Sequence, residues 1–262
     1  MLDWNPALYR RYEDERTRPA QELLARVPLT EADRVVDLGC GPGNSTELLV
    51  QRFPKAQVLG TDNSEAMLVS ARERLPKAGF ELSDIATWAP QSPEQAPDLI
   101  YANASLQWVP DHEKLIPRLF DALAPGGVLA IQMPDNRQEP THRLMRALAA
   151  EAPWAEPIGD ADRLRTLLLP LGGYYDLLAP HSASVDVWHT IYQHRMADAA
   201  SIVEWVRSTG LKPFVDRLPV DLQASYLAEY QRRVDEAYPA RADGKRLLAF
   251  PRMFIVAQKS KA

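Results

Sequence analysis

"VVDLGCGPGNST", Val35 to Thr46, sets Gly39, Gly41 and Gly43 directly after an apolar run that carries Asp37. The run reads as a short strand, and "NSTELLVQRF" from Asn44 as a helix with a polar start. Glycines between the two let the backbone take unusual dihedrals and approach a ligand closely. The spacing is not that of a dinucleotide fingerprint. Gly39-x-Gly41-x-x is followed by Asn44 where G-x-G-x-x-G needs a third glycine, and Pro42 precedes Gly43. No Lys-Ser/Thr pair follows, as a phosphate-cradling loop would require. Asp37 sharpens the point: an anion would not favour that carboxylate nearby, whereas a cation would.

Outward from this turn, short apolar runs alternate with amphipathic stretches. Upstream, Leu23, Leu24 and Val27 give a partial apolar stripe that reads as a helix up to Pro28. Downstream come "QVLGTD", then "SEAMLVSARERL" as a helix that Ser64 could cap, then "FELSD", ending at Asp84. "DLIYANASLQW", "DHEKLIPRLFDAL" and "VLAIQM" continue the alternation, and His112 is expected in the exposed first turn of its helix. Strands and helices of this length imply βαβ units and a mostly parallel sheet. The rhythm changes after Pro140. "SVDVWHTIYQH" (Ser184 to His194) reads as a strand, Asp198 to Tyr238 as helical, and "LLAFPRMFIVAQK" as a last strand in which Pro251 suggests a bulge or an edge. The expected fold is α/β, a Rossmann-like, doubly wound, mostly parallel seven-stranded sheet with a helical insertion before the last strand. The expected organisation is an N-terminal helical segment 1–28, a core of 29–196 and 246–262, and the insertion at 197–245.

The 262 residues suffice for a full core. A formal net charge of −5 argues against a general nucleic-acid binder, though not against an anionic substrate in a basic pocket. The single cysteine, Cys40, allows no internal disulfide or cysteine-based metal site and reads as a small filler. "MLDWNPALYRRYEDERTRP" lacks the apolar stretch of a signal peptide, and no run reaches the ~18 apolar residues of a membrane span. The expected compartment is the cytoplasm, with no metal, membrane or obligate protein partner.

Two further carboxylates end strands. Asp62 closes the second strand, well placed to accept from two ribose hydroxyls, as an acid also does in nicotinamide enzymes. Asp84 closes the third and is followed by Ile85, a pair suited to an adenine amino group and ring. Each aspartate alone could be a cap or turn residue. Together they describe a ligand with an amine end, a ribose and an adenine, and no phosphate. "DLGCGPG", Asp62, "SDI" (Ser83 to Ile85) and "ANASLQW" (Ala102 to Trp108) resemble, in order and spacing, the motifs of class I S-adenosylmethionine-dependent methyltransferases. The resemblance implies that Asp37 and the backbone of Gly39, Gly41 and Gly43 face the methionine part. It implies Asp62 at the ribose, Asp84 and Ile85 at the adenine, and Asn103 beside the methyl group, with S-adenosylhomocysteine as product.

Acceptor-side segments extend the likeness. "DWNPALY" from Asp3, "ER-x-RPA" (Glu15 to Ala20), "NASLQWVPDH", "MPDN-x-x-EPTH" (Met133 to His142), "TGLKP" (Thr209 to Pro213) and "AFPRMFIVA" are similar to the trans-aconitate methyltransferase family. That likeness implies esterification of one carboxylate of a small tricarboxylate. The nucleophile is already ionised at neutral pH, since carboxyl groups titrate near ~4, so no general base is expected. The work is desolvation and alignment. Arginine best binds the remaining carboxylates through its planar fork. The residues expected there are Arg18, His142, Arg195, Arg207 and Arg252, with Trp4 as a wall; residues 1–28 are expected to lid the site. His189 and His194 differ in strand parity, so both are not expected in one pocket. Two other readings stay open: a carboxyl methyltransferase for another acid, such as malonyl-carrier protein, and a non-catalytic S-adenosylmethionine-binding protein. The first would need a basic surface for its carrier, and this acidic chain shows no basic run.

Overall fold

Helix α1 (Glu13–Ala25) leads into strand β1 (Arg34–Leu38), and the expected alternation follows. It continues through α2 (Asn44–Arg52), β2 (Gln57–Asp62), α3 (Glu65–Arg74), β3 (Gly79–Leu82), β4 (Leu99–Asn103), α4 (His112–Asp121) and β5 (Val128–Pro134). After β5 come α5 (Pro140–Ala149), the short α6 (Ala155–Ile158), α7 (Leu171–Leu178) and the long strand β6 (Ser182–Met196). Then α8 (Ala199–Arg207), the single turn α9 (Lys212–Val215) and α10 (Val220–Ala237) precede β7 (Arg246–Lys259). This is a computed structural model, and it describes residues 13–207 and 209–261.

The seven strands form one sheet in the order β3-β2-β1-β4-β5-β7-β6. β1 to β5 are parallel: Asp37 sits opposite Gly60 on one side and Tyr101 on the other. β7 reverses. Lys259 N–H donates to the Gly127 carbonyl at one end and Asp135 N–H to the Pro251 carbonyl at the other, so β7 runs antiparallel to β5 and the sheet is mixed. Of the two expectations for Pro251, a bulge or an edge, the edge is overturned, since β7 lies between β5 and β6; Pro251 gives the ladder a carbonyl acceptor in place of its missing N–H.

The described chain divides into two compact units. Of the described residues, one comprises 13–134, 167–189 and 253–261, the other 135–166, 190–207 and 209–252. The second unit thus takes in residues 135–166 and parts of β6 and β7 besides the helices between residues 197 and 245. The core of the first is apolar on both sides of its parallel strands: Leu38, Ile100, Leu129, Ile131 and Ile255 from the sheet meet Leu115, Ile116, Leu119 and Phe120 of α4. Full burial of such a side chain contributes about 1.5–3 kcal/mol. Near the sheet, Leu23 and Ala20 of α1 are buried, and the buried Tyr101 hydroxyl donates to the Ala20 carbonyl at 2.6 Å.

The second unit is tied by tyrosines. Tyr226 and Tyr230 of α10 donate to the carbonyls of Met145 and Thr141 on α5, at 2.9 and 3.1 Å. On β6, His189 is exposed and His194 half-buried, as opposite parity requires. His194 stacks on Trp205, with ring centroids 4.7 Å apart, and meets Phe250 edge-on.

Candidate functional site

The turn after β1 is built around side chains it lacks. Gly39 and Gly43 have φ +74° and +91°, a region that L-residues seldom adopt. A Cβ at Gly39 would lie 2.3 Å from Ser105 Cβ, so only glycine lets the β1 and β4 ends meet here. Asp37 secures the turn from beneath. Its Oδ2 accepts from the Ser45 and Thr46 hydroxyls, both at 2.7 Å, which anchors the start of α2 to the strand. Its Oδ1 is buried with no hydrogen-bond partner. Burial, opposed by the two hydroxyls and reinforced by the nearby Asp62 charge, raises the Asp37 pKa to about 6. Cys40 is buried and its thiol pushed well up by burial, an inert filler.

Asp62, at the end of β2, is held by backbone. Its Oδ2 accepts from Gly41 N–H and its Oδ1 from Ser64 N–H, each at 2.9 Å. Asn63 N–H is a third backbone donor, and a carboxylate has about four acceptor positions, so one remains for a further donor. Burial raises its pKa against those amides. Ser64 stands at the N-cap of α3 but makes no side-chain cap bond. After β3, Asp84 Oδ1 accepts from Ala86 N–H at 2.8 Å and its carbonyl from Trp88 N–H at 2.8 Å, a closed turn. Arg118 of α4 clamps this turn, donating to the carbonyls of Trp88, Ile85 (2.8 Å) and Ala86 (3.0 Å). The sequence gives no local sign of that long-range contact.

At the end of β4, Asn103 Oδ1 is buried without a partner, and Ala104 takes φ +54°. Ser105 Oγ donates to the Leu38 carbonyl at 2.6 Å, locking the β4 loop to β1. His112 corrects the expectation of an exposed ring. Asp111 at the N-cap takes a left-handed conformation, and the His112 ring is buried. Its Nε2 donates to the Leu106 carbonyl at 2.9 Å, leaving Nδ1 to accept from the Tyr174 hydroxyl at 2.6 Å. Burial holds its pKa below the ordinary value, so the ring is neutral.

These strand ends enclose a cavity of about 790 Å³. Gly39, Gly41, Asp62, Asp84 and Ile85 line it, together with Asn63 to Met67, Ala104, Ser105 and Trp108. Asp37, Gly43 and Asn103 are not among its lining residues. The loop after β4 was legible as a motif, yet Ser105 and Trp108 emerge as lining residues only from its fold.

The acceptor-side residues lie in varied settings. Trp4 is outside the described residues. Arg18 pairs with Glu22 at 2.8 Å on the exposed side of α1. Arg195 is exposed, 3.6 Å from Asp243, and Arg207 is exposed at the end of α8. Arg252 is buried at 4% exposure, its guanidinium 4.9 Å from the Phe250 ring centroid. His142 is buried too, with Nδ1 3.1 Å from Thr141 Oγ1. Burial, with the charges of Arg165, Arg146 and Arg137, holds its pKa well below the ordinary value. It is uncharged at neutral pH and offers no ionic contact to a carboxylate.

A methyltransferase-domain family model matches residues 35–127, the stretch that carries the cavity. Trans-aconitate 2-methyltransferase of Variovorax paradoxus (strain S110) is 88% identical over 259 residues, covering 99% of both chains. The enzyme of the same name from Yersinia pestis (strain Pestoides F) is 53% identical over 261 residues, covering both chains in full. This chain belongs to the trans-aconitate 2-methyltransferase family. Among solved structures, phosphoethanolamine N-methyltransferase 2 of Haemonchus contortus, in complex with phosphomonomethylethanolamine and S-adenosylhomocysteine, matches at TM-score 0.54 and 18% identity. It covers 93% of this chain and 52% of that one. The YcgJ protein of Bacillus subtilis matches at TM-score 0.58 and 12% identity, covering 94% and 99%. At these identities the likeness is one of fold.

The methyl donor of this enzyme class, S-adenosylmethionine, fits the residues present. Asp62 keeps an acceptor position for a hydroxyl, and Ile85 and Met67 offer apolar surface for a ring. Gly39 leaves open the space that a side chain would fill. Two carboxylates about one glycine turn, one of them with an unpartnered oxygen, favour a cationic ligand over a phosphate. The family's activity thus has a cavity of matching chemistry.

Proposed function

We propose that this protein transfers a methyl group from S-adenosylmethionine to one carboxylate of trans-aconitate, giving a monomethyl ester and S-adenosylhomocysteine. The observation that carries this reading is the near-full-length identity of 88% to a trans-aconitate 2-methyltransferase, in a chain whose own cavity suits the donor. When bound, the donor supplies an electrophilic methyl on a sulfonium centre. Everything else falls to the chain. Asp62 orients the ribose, Asp84 and Ile85 hold the adenine, and the backbone at Gly39 and Gly41 receives the methionine part. Asp37 acts from behind the turn: its buried charge favours the donor's cationic end and its hydroxyl partners hold the turn rigid. Asn103 positions the acceptor oxygen at the end of β4.

No base is needed, because the attacking carboxylate is ionised at neutral pH. In-line displacement then gains chiefly from orientation and from loss of water around the oxygen. Residues 1–28 act as the lid. The net charge of −5 favours a free small acid over an acidic carrier protein as acceptor. The buried thiol of Cys40 suits the reducing cytoplasm. Among the described residues no helix is long and apolar enough to cross a membrane.

Competition tests the acceptor. Labelled S-adenosylmethionine is offered with trans-aconitate, cis-aconitate, citrate, isocitrate and a malonyl-carrier protein together. Label passes chiefly to trans-aconitate if the reading holds; preference for the carrier protein would replace it.

A further inference from the structure

The Asp84 carboxylate, read above as the partner of the donor's adenine, belongs to an exposed residue, so packing does not hold it. An exposed side chain left to itself samples several rotamers, and ordering it on binding costs entropy. Here one oxygen is tethered: Asp84 Oδ1 accepts from Ala86 N–H at 2.8 Å. That tether is only as well aimed as the peptide that supplies it. Ala86 N–H and the Ile85 carbonyl belong to one planar peptide unit, so holding the carbonyl sets the direction of the N–H.

The group that holds it comes from α4. Arg118, half-buried in the last turn of that helix, donates from Nη2 to the Ile85 carbonyl at 2.8 Å and to the Ala86 carbonyl at 3.0 Å. Its Nη1 donates to the Trp88 carbonyl. A guanidinium carries its donors in a rigid planar fork, so three carbonyls on one fork fix a whole turn. Behind them the turn closes on itself, with Thr87 and Trp88 N–H donating to the Asp84 carbonyl at 3.0 and 2.8 Å. α4 is anchored in turn by Leu115, Ile116 and Phe120, buried in the core of the first unit. The contacts therefore run from core to Arg118, to the 85–86 peptide, to Asp84 at the cavity wall. Every one of them lies within the first unit.

We propose that Arg118 is a positioning residue for the methyl donor: by aiming Asp84 it sets how strongly the cavity prefers a purine that bears an exocyclic amine. The inference rests on the reading of Asp84 as the acceptor of the adenine amino group. Arg118 is not among the cavity's lining residues and acts only through the turn. Glutamine in its place has fewer donors on a shorter stem and cannot hold three carbonyls at once. The Ala86 N–H then loses its fixed direction, and the Asp84 carboxylate pays the ordering entropy when a ligand arrives. A ligand without the amine makes no use of that carboxylate, so its affinity is the internal reference.

The test is calorimetric titration of the full chain with S-adenosylhomocysteine and with its purine analogue, which lacks only the 6-amino group. Wild type should prefer the amino ligand about tenfold or more, the worth of one charge-assisted hydrogen bond. Arg118→Gln should cut that preference to about threefold or less, mostly by weakening S-adenosylhomocysteine, and Arg118→Lys should fall between the two. Tyr174→Phe strips a buried bond from the other end of α4, so it should lose stability in urea and keep the preference. A preference that survives in Arg118→Gln, or that Tyr174→Phe lowers equally, overturns the positioning role. Should Arg118→Gln not fold, Arg118→Lys decides, and a preference equal to that of wild type overturns the role. Asp84→Ala separates the two readings. A preference that persists in Asp84→Ala, or is absent from wild type, sinks the adenine assignment of Asp84 and this inference with it. A preference lost in Asp84→Ala yet kept in Arg118→Gln sinks the role of Arg118 alone.

Discussion

Gly39→Ala places a methyl group where the turn has no room for one. The added Cβ would lie 2.3 Å from Ser105 Cβ and 3.3 Å from Ile85 Cδ1, on a backbone at φ +74°. The left-handed conformation costs an alanine about 1–2 kcal/mol. Forcing a methyl into filled space adds about 1–3 kcal/mol. The variant should therefore lose about 2–5 kcal/mol of stability in urea unfolding. The two shares can be separated, because Ser105→Gly removes the atom that is struck. Ser105→Gly alone costs its own hydrogen bond to Leu38, while the double variant should regain the packing share and keep the backbone share. A coupling of about 1–3 kcal/mol in the double-mutant cycle is expected. Strict additivity, or a Gly39→Ala protein within about 0.5 kcal/mol of wild type, would refute the reasoning that this turn is closed by steric contact.

Asp62→Ala should weaken S-adenosylhomocysteine binding about ten- to hundredfold by calorimetry, and unaltered affinity would remove the ribose assignment. Tyr174→Phe leaves the buried Nδ1 of His112 without a donor, so denaturant unfolding should register a loss of about 1–3 kcal/mol; an unchanged midpoint would contradict the inward-facing ring. Asp37 makes a pH prediction. Its pKa is raised on folding from 3.8 to about 6, so its favourable contribution is complete below the unfolded value and lost as pH rises through the folded one. Without ligand, wild type should lose about 3 kcal/mol relative to Asp37→Asn between about pH 4 and 7, and a pH-independent difference would contradict it.

The parallel half of the fold was legible because its signals are local. Apolar runs, polar helix starts and the glycine turn each occupy a few consecutive residues, and β1 to β5 follow them closely. The reversal of β7 is not local: it depends on which neighbour the last strand finds, and "AFPRMFIVA" reads alike in either direction. Pro251 suggests a bulge or an edge for the same reason. For His112 helix position alone says outward, whereas after the left-handed Asp111 the ring is buried and meets Tyr174.

Of the cavity lining, Asp62, Asp84, Ile85, Gly39 and Gly41 can be read because strand ends in a parallel sheet share one edge, whereas Gly43 does not line it. Asp37 shows the limit of that logic. Its Oδ2 serves Ser45 and Thr46, a bond pattern that spacing does not reveal. The acceptor side was harder. Arg146 and Arg165 look like ordinary surface cations in sequence, and only the packing of α5 against the 161–164 turn brings them near Arg137. His142 stood out by motif, yet its neighbours carry the charge.

The most direct measurement is mass analysis of the products when the purified protein is given S-adenosylmethionine and trans-aconitate alone. The account predicts one monomethyl trans-aconitate for each S-adenosylhomocysteine formed. S-adenosylhomocysteine without the ester, or no turnover by a protein that binds both compounds, would contradict it.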